Sequence, residues 1–272
     1  LLKIPQNKFC PSPSLPLNIN PNSLNTIYND AARYDDIHWW KKNDLDFWNN
    51  IFSEISGNSV LELACGTGRL ANCLVRDGAE YAGLELSSDF ATLARKKLSH
   101  FSNTPTIITG DMRDFQLNKT FDLIFIGFNS FLHLLKDKDA DSFFTCVKQH
   151  MHAKSRFLID IFVPNPLFLY RPEGIQFPVL EYTDSATDAL VKVNEGNNYN
   201  PDTEINELTW YFSTKNKIDF AVERFSMRMY FPSKMNQILV DNGFHILHQW
   251  GDYYRSPLGE GSKLQIYDVC LA

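Results

Sequence analysis

A chain of 272 residues, 44% hydrophobic and 21% charged, has room for one large domain or one domain carrying an insertion, and its balance excludes disordered, collagenous and coiled-coil chains. Lys and Arg number 26 against 32 Asp and Glu, so the formal charge is −6: a nucleic-acid partner is disfavoured and a small or cationic substrate fits better. The five cysteines (Cys10, Cys65, Cys73, Cys146, Cys270) form no CxxC pair and do not cluster with histidines, so no metal is expected and a reduced, cytoplasmic protein is. No apolar run approaches the roughly 18 residues a membrane span needs, and no membrane partner is expected.

In chain order, five prolines between Pro5 and Pro21 preclude a helix and predict an extended arm. From Ser23 to Ile55 an aromatic, helical pattern predicts one or two covering helices, making residues 1–55 an arm with lid helices. Short apolar runs (Val60–Ala64, Tyr81–Leu84, Thr106–Thr109, Leu123–Gly127, Phe157–Phe162) then alternate with amphipathic stretches from Arg69, Ser87 and Asp139. Strand and helix taking turns over residues 56–170 predicts an α/β core with an open, mostly parallel, doubly wound sheet. Strand-like stretches separated by Asn, Asp and Gly predict an antiparallel β insertion over residues 171–231, which covers the substrate and offers a surface through which a homodimer could form. Residues 232–272 read as a helix from Pro232 and two closing strands, Phe244–Trp250 and Leu264–Leu271, that complete the core sheet.

Val60 to Ala71 is a hydrophobic strand, a Gly66-Thr67-Gly68 turn and a helix start, the layout that lets ligand atoms approach the backbone and meet a positive helix end. A GxGxxA turn with an acidic residue at Glu85 also suits a dinucleotide, so an NAD-dependent oxidoreductase is one reading. Three features oppose it. Glu62 is a carboxylate inside the first strand, where it needs a hydrogen-bonding or cationic neighbour. Asp111 and Met112 follow the third strand, placed to meet the edge and face of an adenine. The closing antiparallel pair departs from an all-parallel dinucleotide domain.

In these segments, Glu62–Gly68 (ELACGTG), Gly83–Ser87 (GLELS), Gly110–Phe115 (GDMRDF) and Phe121–Leu135, the chain resembles the class I S-adenosylmethionine-dependent methyltransferases. Arg228–Pro232, Gly243-Phe244 and Gly251–Tyr253 with Ser256-Pro257 extend the likeness to a bacterial small-molecule subgroup. The resemblance implies S-adenosyl-L-methionine as cofactor and a seven-stranded Rossmann-like sheet. It implies that Glu62, Ala64, Gly66, Thr67 and Gly68 serve the methionine part, Glu85 the ribose hydroxyls, Leu86, Asp111 and Met112 the adenine, with Phe128 and Asn129 after the fourth strand and Tyr28 and Tyr34 closing over the site. The reaction implied is in-line methyl transfer to a small-molecule or short-peptide acceptor, preferably an amine nitrogen.

Candidate catalytic residues are His133, after the fourth strand, and Asp160, a carboxylate in an otherwise apolar strand; if the acceptor is a hydroxyl, His133 becomes the base of an O-methyltransferase. Each has a structural alternative, a helix-start histidine or a hydrogen bond to the insertion. Trp39, Trp40 and Trp48 are expected in helix packing, His150 and His152 on one helix without zinc, and Arg228 and Tyr253 as weaker pocket candidates.

Overall fold

The computed structural model describes residues 27–272; the proline-rich arm and Cys10 lie outside the described residues. Two helices come first, α1 (Ala31–Ile37) and α2 (Leu45–Glu54), and the Asp30 side chain caps α1 by accepting from the Arg33 N–H at 3.0 Å. The alternation follows: β1 (Ser59–Leu63), α3 (Arg69–Arg76), β2 (Glu80–Glu85), α4 (Ser88–Leu98), β3 (Thr106–Thr109), β4 (Phe121–Ile126), a 3₁₀ turn at Ser130–His133, α5 (Asp137–Gln149) and β5 (Met151–Phe162). Ser87 caps α4 by accepting from the Phe90 N–H. After α6 (Pro166–Leu169) come β6 (Phe177–Thr183), β7 (Leu190–Asn200), β8 (Ile205–Ser213) and β9 (Ala221–Arg228), then α7 (Pro232–Asp241), β10 (Phe244–Trp250) and β11 (Leu264–Leu271).

The main sheet has seven strands in the order β3-β2-β1-β4-β5-β11-β10. β1 to β5 run parallel, and β11 is antiparallel to both of its neighbours. This is the expected doubly wound, mostly parallel sheet, and β6 to β9 form the antiparallel insertion as a separate four-stranded sheet. Strand order reverses between β1 and β4, the place where open α/β sheets bind ligands beyond the carboxyl ends of their strands. The reason is geometric: the two neighbouring crossovers leave in opposite directions and open a crevice.

Each face of the sheet carries its own apolar core. One gathers Phe131, Phe143, Phe144 and Phe157 with Tyr230; the other sets Trp48 against Phe125, rings 4.4 Å apart, under α2 and α3. A third cluster joins Ile27 and Ile37, at the two ends of the α1 region, to Val193, Leu208 and Phe212 of the insertion. The buried Gln265 of β11 donates through Nε2 to the carbonyls of Phe162 (3.0 Å) and Tyr230 (2.7 Å), the last residue of β5 and a residue just before α7.

Two expectations are corrected. His150 and His152 do not share a helix: α5 stops at Gln149, His150 stacks on Phe115, and His152 is already on β5, facing Asp122 at 3.1 Å. Trp48 is core packing, but Trp39 and Trp40 are 61% and 45% exposed, because α1 ends at Ile37 and both sit on the turn beyond it.

Candidate active site

Above the switch point lies a cavity of about 740 Å³, with walls from the ends of β1 and β2, the start of α4, residues 110–113 and the 3₁₀ turn after β4. The glycine turn makes its floor. Gly66 has φ +59°, and a Cβ built on it would meet no atom within 4 Å, so its Cα faces open space that a ligand can occupy. Gly68, at φ +80°, opens α3, where a Cβ would crowd Leu98 at 3.1 Å. Ala64, in the lining, also has positive φ (55°).

Glu85 stands at the end of β2 with both oxygens on backbone donors, Oε2 on the Gly66 N–H (2.9 Å) and Oε1 on the Ser87 N–H (2.8 Å). Burial raises its pKa, and these two bonds counter the rise. The oxygens keep further lone pairs for a pair of hydroxyls. Asp111 is held from one side: its Oδ1 accepts from the Arg113 N–H at 2.9 Å, and the Arg113 guanidinium spans both oxygens at 2.6 to 3.1 Å. Burial pushes this carboxyl up, but the Arg113 bonds outweigh it and hold it below its ordinary value. Leu86 and Met112 complete this end.

Tyr28 and Tyr34 cover the opposite side, 6.0 Å apart, with Tyr34 against Phe90. Three side chains of α1 hold it over the cavity. Arg33 pairs with the buried Glu223 of β9; Asp35 accepts from Thr67 Oγ1 at 2.5 Å and pairs with Lys97; Asp36 accepts from the Ser185 N–H at 2.8 Å. Thr67 therefore serves the lid and does not line the cavity.

His133 is in the lining, and its Nε2 lies 2.8 Å from the Tyr28 hydroxyl. Its Nδ1 lies 3.2 Å from the Ser226 carbonyl, which only accepts, so the ring proton is assigned to Nδ1 and Nε2 accepts from Tyr28. Burial depresses its pKa to about 4. Asp160, the other catalytic candidate, is in a different cavity, of about 690 Å³, beside Asn129 and Tyr253; Phe128 is shared by both. Asn129 accepts from the Phe162 N–H at 2.8 Å and so turns toward β5.

Glu62 is buried under the turn rather than in the cavity wall. Tyr81 donates to its Oε2 at 2.5 Å, the neighbour the carboxylate needs, and burial still pushes its pKa up to about 8. Arg228 pairs with Asp137 and Glu204, away from both cavities. Two residues of this region escape motif reading: Arg113, and Arg69, whose guanidinium forks onto Asp44 at 2.7 and 2.8 Å beside the α3 N-terminus. The available signal was position, Arg69 directly after Gly68 and Arg113 two after Asp111. Among the described residues no group of three His, Cys, Asp or Glu side chains is arranged to hold a metal ion, and no helix is long and apolar enough to cross a membrane.

Residues 60–154 match the family profile described as a methyltransferase domain. Over 94 residues, 35% of this chain, the sequence is 34% identical to the Streptomyces venezuelae dTDP-3-amino-3,4,6-trideoxy-alpha-D-glucopyranose N,N-dimethyltransferase; that stretch is 38% of the relative's length, so the chain spans little more than a third of it. Among solved structures, an S-adenosylmethionine-dependent methyltransferase from Clostridium acetobutylicum superposes with a TM-score of 0.74 at 20% identity, covering 89% of this chain and 97% of that one. The glycopeptide N-methyltransferase MtfA, solved with S-adenosyl-L-methionine, superposes with a TM-score of 0.58 at 20% identity, covering 86% and 90%. None of these matches lends support to an NAD-dependent oxidoreductase.

Proposed function

Since residues 60–154 match the methyltransferase-domain profile and the chain shares the fold of a solved S-adenosylmethionine-dependent methyltransferase, we propose that this chain is an S-adenosyl-L-methionine-dependent methyltransferase acting on an amine nitrogen of a small molecule or short peptide. The carrying observation is the cleft at the switch point, where the exposed face of Gly66, the doubly held Glu85 and the clamped Asp111 line one cavity. The donor set fits the cofactor: Glu85 suits the ribose diol, Asp111 an exocyclic amine, Met112 and Leu86 the faces of a purine, and the glycine turn at the α3 N-terminus a carboxylate. When bound, the cofactor supplies an electrophilic methyl group on a sulfonium.

The chain's residues then have three tasks. Glu85, Asp111 and the glycine turn fix position, so that the acceptor meets the methyl group in line. Tyr28 and Tyr34, held by the α1 contacts, exclude water. His133 stays neutral far below physiological pH, so it orients Tyr28 without setting a positive charge beside a sulfonium. That low pKa also favours an amine over a hydroxyl: an imidazole at about 4 is a weak base for removing an alcohol proton, whereas an amine presented neutral needs none. The Streptomyces relative carries the name of an amino-sugar N,N-dimethyltransferase, which supports the same choice.

The test is methyl transfer from radiolabelled cofactor to a panel pairing amino sugars and short peptides with their hydroxyl analogues. Label in the amines alone supports the reading. Label confined to hydroxyls removes the amine assignment, and failure to bind the cofactor in calorimetry removes the whole proposal.

A further inference from the structure

The second cavity lies across Phe128 from the first, between the turn after α1 and the loop that joins β10 to β11. At its base Asp160 is 1% exposed, and its hydrogen bonds fall on one oxygen: Oδ2 accepts from the Tyr253 hydroxyl at 2.8 Å and from the Phe128 N–H at 3.2 Å. Among the described residues no donor reaches Oδ1. That oxygen is not sealed off from solvent, so it is open to the cavity and can accept from a ligand.

The surrounding charge selects what that ligand can be. Three carboxylates (Asp160, Asp252, Glu260) and two ammonium groups (Lys41, Lys263) line the cavity. Lys41 pairs with Asp44 at 3.3 Å, donates to Asn43 at 3.1 Å and to Tyr253 at 2.8 Å, and its charge also acts on Asp160, though it makes no direct ion pair there. Three carboxylates against two ammonium groups leave a formal excess of one negative charge, which favours a cation over a phosphate or carboxylate. The half-exposed Trp40 and Tyr254, 93% exposed at the rim, add aromatic faces suited to a cation.

We propose that this second cavity binds an ammonium group of the acceptor other than the nitrogen that is methylated, with Asp160 Oδ1 as its hydrogen-bonding counter-ion and Trp40 and Tyr254 as its apolar cover. The assignment rests on the methyl-transfer reading for the word acceptor, and on the cavity alone for the chemistry. Phe128, common to both cavities, sets the boundary across which an acceptor anchored here presents its nucleophile.

The experiment is a ligand-observed NMR titration of the full chain, saturated with S-adenosylhomocysteine, using three probes of one shape: cyclohexylammonium, cyclohexanol and cyclohexanecarboxylate. The expected result is cyclohexylammonium binding at least tenfold more tightly than the other two. Asp160→Asn should erase that preference, and Tyr254→Ala, a rim change that leaves the fold alone, should weaken the ammonium probe severalfold. Equal binding of ammonium and alcohol, preference for the carboxylate, no binding of any probe, or preference retained in Asp160→Asn would each overturn the proposal. S-adenosylhomocysteine is titrated separately into each protein. Wild type that binds the ammonium probe but not this product sinks the cofactor reading and leaves the cavity's chemistry standing. If Asp160→Asn loses both ligands, Tyr254→Ala decides: a weakened ammonium probe with product affinity kept supports the proposal, and an unchanged ammonium affinity overturns it.

Discussion

Glu62 lies within β1 and Glu85 ends β2, and the structure gives these two carboxylates opposite surroundings. Glu85 meets two backbone donors and faces the cleft; Glu62 meets one tyrosine and faces the core. Removing the charge at Glu85 deletes a charge-assisted acceptor, worth about 1.5–3 kcal/mol, so Glu85→Gln should weaken cofactor binding by about ten- to a hundredfold in calorimetry. An unchanged affinity would remove Glu85 from the binding set. For Glu62 the sign is worked from its folded pKa of about 8 against the ordinary 4.5. The folded protein keeps a proton that the unfolded chain releases between those values, so stability is full below about pH 4.5, falls as pH rises to about 8 and is level above it. The slope is at most about 1.4 kcal/mol per pH unit, one proton's worth. Glu62→Gln keeps an acceptor for Tyr81 and should flatten that fall in urea melts taken across the window; an unaltered slope would show that Glu62 does not titrate there. Sequence reading set the two apart, asking a hydrogen-bonding neighbour for Glu62 inside its strand, but could not name Tyr81 as that neighbour or keep Glu62 out of the cavity wall, because both depend on what folds over β1.

Among elements, the alternation of β1 to β5 with α3 to α5 was legible because apolar runs and helix caps repeat at short range: Ser87 ahead of α4 and Pro232 at the start of α7 both stand where the sequence places them. The turn after α1 was not legible, since Trp39 and Trp40 carry a helix-like pattern but face outward. Nor was the division of the candidates between two cavities. Asp160 and His133 both follow from strand ends, yet the separating wall, Phe128, is packed by His38, Trp40 and Lys41 of the turn after α1, far away in sequence. The lid α1 hangs on side chains from three other elements or loops, so its closure can be loosened at one point. Asp35→Ala removes the Thr67 bond and the Lys97 pair, both at a partly exposed site. The expected outcome is faster amide exchange across residues 31–37 and severalfold weaker cofactor binding, with a melting temperature within a few degrees of wild type. Exchange that stays slow in this variant would mean that the Arg33–Glu223 pair and the apolar cluster suffice.

For the molecule as a whole, the two-faced core meets the cleft only at its edge, through Leu84, Leu134 and the half-buried Met112, while the third cluster ties the lid to the insertion. Ligand binding should therefore stabilise unevenly. At a hundred times its dissociation constant the cofactor adds about 2.7 kcal/mol by mass action. Hydrogen exchange should show this gain chiefly at residues 27–44 and in the insertion strands that pack on them, with the centre of the main sheet already protected. Uniform protection over all strands would show that the lid and insertion do not respond as a unit. Sequence alone placed the insertion but not this linkage, which runs through Ile27, Ile37 and the inward face of β7 and β8 and leaves no motif.

Gln265 gives the insertion a further property. By bonding the carbonyls at both of its attachment points, one side chain of the core keeps the place where the chain departs beside the place where it returns. The four-stranded sheet is thus spliced into the core with its point of departure and its point of return held side by side, so it can be lengthened or shortened beyond that junction without disturbing the strand order of the main sheet.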